Sequence, residues 1–314
     1  MSLRFVLPLF TALVAPCLGQ TMPPWSKGLN NPALNKGEVL GAEDIDNVPD
    51  LHGNPMDALL VLFVGGNQFF VMPRLVADFE VMHPEMRGRI FYETLPPGLM
   101  RKQMQEGGAV TLGNFTLTVK PDVYEAGART LYELQKTGVV DHLVPYATNS
   151  LEIMVAKGNP LAIRSLADLS KAELRLSMPN PQTEGVARQI AECLHKVGGD
   201  PLADSVYKLK VVSGTSYLTQ IHHRQTPIRI MQGKSDAGVV WSSEVRFQER
   251  IGNPIEGVRI PEAQNTTATY AAGVLAAAPH HAAAVEWVDF LKGAKAQAAY
   301  AAFGFKAAAP VVAP

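Results

Sequence analysis

Segments that read as strand, polar turn and helix follow one another along this chain, and that alternation constrains the fold more than any other feature. Residues 58–64 are a continuous apolar run, followed by Gly65-Gly66-Asn67-Gln68 and a helical stretch over 70–82. That helix ends before His83-Pro84, because a residue preceding proline is pushed out of the helical region. A second strand at 89–92 leads through Thr94-Leu95-Pro96-Pro97-Gly98 into a helix around 99–105. The spacing predicts further strands at 119–124, 151–156, 174–178, 207–212 and 269–277, and helices at 127–136, 186–197, 280–291 and 294–303. Ser165-Leu166-Ala167-Asp168-Leu169 reads as a short capped helix. Repeated β-turn-α units imply mainly parallel sheets with right-handed crossovers. No period of about 20 to 50 residues is visible, which excludes a solenoid.

Residues 231–245, MQGKSDAGVVWSSEV, show the unit at its clearest. Gly233 suits the turn that stops the preceding helix, and Ala237-Gly238-Val239-Val240 is the small, apolar run expected of a strand covered on both faces. Trp241, Ser242, Ser243 and Glu244 then fall at the strand's carboxyl end, where open α/β sheets place their ligands.

At 314 residues the chain exceeds one comfortable core, so two α/β lobes are expected. Its formal net charge of −1 supplies no field to recruit nucleic acid or an anionic membrane. Arg4 precedes the apolar run 5–14, and Cys17-Leu18-Gly19 places small residues where a signal peptidase would cut before Gln20. Residues 1–19 are read as a cleaved export signal, since the run falls short of the roughly 20 apolar residues of a spanning helix. A lipoprotein at Cys17 is disfavoured by Pro16 directly before it. Cleavage leaves Cys193 as the single thiol, within the helical run 186–197, where a buried structural cysteine is expected. Residues 20–56, rich in Pro, Asn and Gly without a period, read as an extended leader.

The order of these segments resembles the type II periplasmic solute-binding proteins, and within them the molybdate-binding branch, over roughly residues 59–305. The resemblance is carried by Lys157-Gly158-Asn159-Pro160 with 165–169, by residues 233–243, and by Trp287-Val288-Asp289-Phe290-Leu291 with Ala296-Gln297 and residues 300–305. It implies a two-lobed α/β fold, mainly parallel sheets flanked by helices with a hinge between lobes. Lobe 1 is expected over 57–150 and 268–314 and lobe 2 over 151–267, with the crossings near 147–152 and 266–270. The chain departs from the molybdate pattern where ligand should be touched. Gly66, Asn67, Gln68 and bulky Phe69-Phe70 follow the first strand, Thr94-Leu95-Pro96-Pro97-Gly98 replaces a serine-bearing loop, and Trp241 stands where tyrosine is common. These departures favour a ligand larger or differently shaped than molybdate, with a flat or apolar portion against Trp241.

Helix N-termini facing such a cleft bind anions through unpaired amides and the helix dipole. Gly66 and Gly98 allow close backbone approach, while Asn67, Gln68 and Thr94 can add directional bonds or merely cap their helices. Asn180, Thr183 and Glu184 occupy the corresponding loop of the second lobe; Glu184 could bond a ligand hydroxyl or amine, or simply begin a helix where acids are favoured. Tyr124 after the third strand carries the same ambiguity. In Gln220-Ile221-His222-His223-Arg224-Gln225-Thr226, His223 and Arg224 compete between a solvated helix face and a cleft contact, Arg224 as a fork for a carboxylate or phosphate. His222 and His223 form a minor metal alternative, because adjacent helical side chains point about 100° apart. Trp241 and Ser242 complete the candidates.

No G-x-S-x-G, H-E-x-x-H, Cys-x-x-Cys or dinucleotide fingerprint is present, so no enzyme and no cofactor are expected. The implied protein is a monomeric periplasmic one, not inserted in the membrane after signal cleavage. It would capture a small anionic or polar solute, of the oxyanion or organic acid class, for an ABC transporter permease. The rivals are a ligand sensor or accessory factor using the same cleft, and a binder of a metal or metal chelate through the His222/His223 region.

Overall fold

The computed structural model describes residues 48–112, 115–220 and 222–308. The export signal at 1–19, Cys17 and the leader through residue 47 lie outside the described residues. In chain order the strands are β1 (Leu51–His52), β2 (Leu60–Val64), β3 (Ile90–Glu93), β4 (Ala109–Leu112), β5 (Phe115–Thr118), β6 (Val123–Gly127), β7 (Val140–Ala156), β8 (Leu176–Met178), β9 (Ser216–Leu218), β10 (Ala237–Trp241), β11 (Ile255–Arg259), β12 (Thr267–Leu275) and β13 (Lys306–Ala307). The longer helices are α1 (Met72–Met82), α2 (Pro97–Gln105), α3 (Ala128–Lys136), α4 (Val186–Asp204), α5 (Gln225–Met231), α6 (Ser242–Arg250), α7 (His281–Phe290) and α8 (Ala294–Ala301).

The strands run in the order β1-β3-β2-β6-β12-β7-β10-β8-β9. Each half has a parallel centre, β2 between β3 and β6 in one and β8 between β10 and β9 in the other. The 17-residue β7 joins them. Its first part, through Ser150, pairs antiparallel with β12, and from Leu151 onward it pairs antiparallel with β10 and β11. The chain therefore crosses between halves at Ser150–Leu151, giving the two-lobed α/β fold.

Helices on both faces explain why β2 and β10 are buried along their whole length. α1 turns Met72, Leu75, Val76 and Phe79 into the core, the i, i+3, i+4, i+7 stripe of a helix covering a sheet. α4 does the same with Val186, Ile190, Cys193 and Leu194, then breaks at Gly198 and Gly199, the latter at φ 62°. The buried Cys193 thiol donates to Thr266 Oγ1 at 3.3 Å, a packing role.

Several expected elements are corrected. The strand expected at 119–124 is β6, starting at Val123, so Tyr124 lies within the strand and not in a loop after it. The β4/β5 hairpin precedes it unheralded. Residues 207–212 are helical: Val206 and Lys210 are buried one turn apart while Leu209 and Val212 are exposed, a helical period that the apparent alternation masked. The first part of β7 escaped notice because it contains Pro145. The register slips there, with Tyr270 opposite Ala147 but Ala271 opposite Pro145, and a bulge is where a sheet tolerates proline. Leader residues Leu51–His52 add an edge strand antiparallel to β3, with the His52 ring stacked 4.3 Å from Tyr92.

Candidate functional site

The carboxyl ends of the parallel strands from both halves converge on a partly open cavity of about 130 Å³. The first half contributes Gly66 and Asn67, from the turn Gly66–Gln68 after β2, together with Pro96, Pro97 and Tyr270. The second half contributes Glu184, His222, His223 and Trp241. A wider groove of about 690 Å³ adjoins it between α2 and α4, sharing Glu184 and reaching Gly98, Tyr124 and Thr183.

His223 is the electrostatic centre. Its Nδ1 meets the Glu184 carboxylate, and its Nε2 lies 2.8 Å from Glu244, an ion-pair contact and not an aligned hydrogen bond. Burial opposes charge on the imidazole, but Glu244 and Glu184 outweigh it and push the pKa up to about 10. Glu184 accepts as well from the backbone N–H groups of His223 (2.7 Å) and Asn180 (3.2 Å) and from the Thr219 hydroxyl. Burial raises its pKa, yet His223 and these donors bring it below the ordinary value. Glu244 sits in the first turn of α6 and accepts the Trp241 N–H at 3.2 Å, so the helix caps itself with its own carboxylate.

A second charged group lies at the leader's edge. Asp50 accepts from the Arg224 guanidinium, from the Thr94 hydroxyl at 3.1 Å, and contacts His222 Nε2 at 3.2 Å. Burial works against its charge, but Arg224 and His222 hold it well below the usual carboxylate range. Arg224 also lies 4.8 Å over the Phe69 ring. The halves touch closely here: a Cβ on Gly66 would come within 2.7 Å of both His222 Cε1 and the Thr94 carbonyl.

Of the residues singled out in the sequence, Gly66, Asn67, Glu184, His223 and Trp241 line the cavity together. Asn67 donates to the Tyr270 hydroxyl at 2.8 Å, and Tyr270 packs edge-on to Trp241 with centroids 5.8 Å apart. Gln68 instead turns into the core, where its Oε1 accepts from Tyr146 (2.9 Å) and Tyr300 (2.8 Å). Tyr124 donates to the Pro97 carbonyl at 2.9 Å. Asn180 shapes its own turn, accepting the Gln182 N–H at 3.0 Å, and Ser242 donates to Asn149 at 2.9 Å. Gly98 and Thr183 face each other at the groove, a Cβ on Gly98 falling 3.3 Å from the Thr183 carbonyl. Thr94 and Arg224 are turned on Asp50.

Asp50 and Tyr270 escaped the sequence reading. The first lies in a segment without period, and the second in an apolar strand whose hydroxyl was the only signal. Glu244 was placed at the strand end but not among the ligands. His222 and His223 each face carboxylates of their own. Among the described residues the group with metal-ligating spacing is His83, Glu85 and Glu286, at the surface. Among those residues, too, no helix is long and apolar enough to cross a membrane.

Residues 60–306 match the family described as bacterial extracellular solute-binding protein. The molybdate-binding protein ModA of Mycobacterium tuberculosis is 25% identical over 201 residues, 63% of this chain and 70% of that protein. The solved sulfate-binding protein SubI from the same organism superposes with a TM-score of 0.63 at 20% identity, covering 80% of this chain and 86% of that one. The periplasmic molybdate-binding protein of Azotobacter vinelandii gives 0.59 at 17% identity, over 78% and 98%. These structural likenesses speak to the fold, while the family match covers most of the chain. The chain therefore belongs to the bacterial extracellular solute-binding proteins, a family of binding proteins rather than enzymes, and shares the fold of the molybdate-like type II binding proteins.

Proposed function

We propose that this protein captures a small polar solute between two lobes in the periplasm and delivers it to an ABC importer. Residues 57–150 with 268–314 form one lobe in this reading and 151–267 the other, with the leader strand β1 added to the first. The observation that carries it is the cavity, whose wall is split between the halves: Asn67 and Tyr270 on one side, Glu184, His223 and Trp241 on the other. A solute that touches both walls does so only when they are together, so it shifts the population toward the closed form.

The relatives named above are molybdate- and sulfate-binding, which supports an anionic solute of the oxyanion or organic acid class by analogy alone. In the chain's own cleft His223 and the neighbouring Arg224 are engaged by carboxylates, while Arg188 lines the cavity wall, which suits a polar or anionic solute. A metal or chelate held through His222 and His223 has less support. The charged imidazole of His223 has no lone pair to give, and His222 faces Asp50.

Native mass spectrometry of protein purified from its own periplasm tests the proposal by identifying retained solute. Small-angle scattering should then show compaction when that solute is restored. No retained solute, and no compaction with oxyanions, organic acids, amines or metal chelates, would sink it.

A further inference from the structure

We infer that the solute is an organic acid with at least two acidic groups, one taken by the cavity and one by the groove between α2 and α4, where Arg101 of one half and Arg188 of the other receive it. This rests on the solute-binding reading above and narrows the oxyanion or organic acid class to elongated acids.

The cavity and the groove meet, since Pro97, Thr130, Glu184, Gly185 and Arg188 line both. The groove, at about 690 Å³, is several times larger than the cavity at about 130 Å³. A compact ion held in the cavity therefore leaves most of the space unused. The groove is also where unpaired positive charge lies. Its wall carries the carboxylates Glu184, Asp200 and Asp204 against the cations Arg101, Arg188 and Lys208, equal in number but unevenly paired. Near the break in α4 at Gly198 and Gly199, Asp204 pairs with Lys208 at 2.7 Å and Asp200 faces His195 at 3.1 Å. Glu184 is answered by the His223 imidazolium. Arg101 and Arg188 make no ion pair among the described residues. Toward the cavity, Arg101, Arg188 and His223 thus face Glu184 and, behind the lining, Glu244: three cations against two carboxylates. The neighbouring Asp50 and Arg224 cancel each other.

Arg188 is the third residue of α4, where the helix dipole favours a carboxylate over a cation. The helix gains nothing from an arginine there, but an acidic group bound beside it satisfies both. The open hydrogen-bonding capacity points the same way. His223 Nε2, in a residue 7% exposed on the cavity wall, carries an N–H without a hydrogen-bond acceptor among the described residues. At the groove, the Thr183 and Tyr207 hydroxyl oxygens are buried and also without a partner among those residues. Carboxylate oxygens accept from imidazolium, guanidinium and hydroxyl donors alike. The Trp241 and Tyr270 rings occupy wall that a compact oxyanion would need for donors, and they suit the carbon chain between two acidic groups.

Isothermal titration of the full chain with succinate, glutarate and citrate, against acetate and sulfate, tests the inference. At least one of the longer acids should bind about tenfold or more tighter than acetate and sulfate. Arg101 lines the groove and not the cavity, so Arg101→Met should weaken that acid about tenfold and leave acetate and sulfate unchanged, while Arg101→Lys restores most of the loss. Arg188→Met should weaken the longer acid at least as much. Both arginines are exposed, and unchanged melting temperatures will show that the variants fold. A wild type that binds sulfate or acetate as well as every longer acid overturns the inference, as do folded arginine variants that bind the longer acid as the wild type does. If none of the five probes binds, the solute retained from the periplasm decides: one with two acidic groups upholds the inference, and any other overturns it while the solute-binding reading stands. Failure of that reading itself looks different, with no retained solute and no compaction with any probe.

Discussion

Replacing His223 by glutamine tests the charge arrangement of the site most directly. The imidazole is 7% exposed and set between Glu184 and Glu244, and its pKa rises from 6.5 to about 10. A pKa higher in the folded state means that the folded protein holds the proton more tightly. The resulting stability is complete below the unfolded pKa of 6.5 and is lost as pH climbs through about 10. Within that window the loss is about 1.4 kcal/mol per pH unit, so between about pH 7.5 and 9.5 it amounts to about 2.7 kcal/mol. That interval lies above the titration of Glu184, whose pKa is lowered, so Glu184 does not confuse the slope. His223→Gln also strands two buried carboxylates without their cation, at a cost of about 3–5 kcal/mol near neutral pH. Urea unfolding of both proteins at several pH values across the interval gives the difference directly. It should be largest at the low end and shrink by about 2.7 kcal/mol at the high end. A difference that does not change with pH would refute the imidazolium held between carboxylates.

Three further substitutions probe closure and the core. Gly66→Ala brings a Cβ within 2.7 Å of His222 across the cleft. It should hold the lobes apart, abolishing solute-induced compaction in scattering and weakening solute binding about tenfold or more; unchanged compaction counts against the closed geometry. Burial lifts Glu125 to about 7, although Trp287 and Tyr146 hydrogen bonds pull the other way. Its stability contribution is present below the ordinary value of 4.5 and lost as pH rises through about 7, so Glu125→Gln should gain about 3 kcal/mol relative to wild type between about pH 5 and 8. Melting temperatures at the two pH values decide it, and a constant difference argues against the shift. Gly238→Ala would set a Cβ 2.2 Å from the Ser177 carbonyl inside the sheet. A loss of about 1–3 kcal/mol or more is expected in urea unfolding, and a neutral effect would mean that β10 and β8 are less tightly packed.

The parts of the fold legible in the sequence are those where one local signal is unopposed. Ala237–Trp241 reads as a buried strand because small apolar residues run without a break, and Ser165 with Asp168 reads as a capped turn because the two side chains satisfy each other's backbone. Tyr207 to Val212 misleads because its alternation of apolar and lysine residues imitates a strand, while the preceding helix carries on through it. Val140–Ser150 is hidden by Pro145, whose place at a bulge depends on β12, more than a hundred residues away. The site divides in the same way. Loops after parallel strands expose Asn67, Glu184 and Trp241 to a topological argument, whereas Asp50 lies just before an edge strand and Tyr270 in an antiparallel one, to which that argument does not apply.

Asp50 also lies before residue 60, where the family match begins. The shared scaffold thus accounts for cleft, crossing strands and inward-facing helix ends, but the carboxylate on Arg224 enters from outside it. Thr94 shows the consequence. It stands just past β3, on the loop expected to offer hydroxyls to a ligand, and its hydroxyl donates to Asp50 instead. Glu244 acts likewise at α6, taking the Trp241 N–H that a bound anion could otherwise accept. A helix end that attracts negative charge gains nothing further from an anion once a carboxylate of the chain is fixed there. Asp50 and Glu244, laid over the scaffold, thus take up a guanidinium and a backbone N–H that a family scaffold of this kind could otherwise offer to an anion.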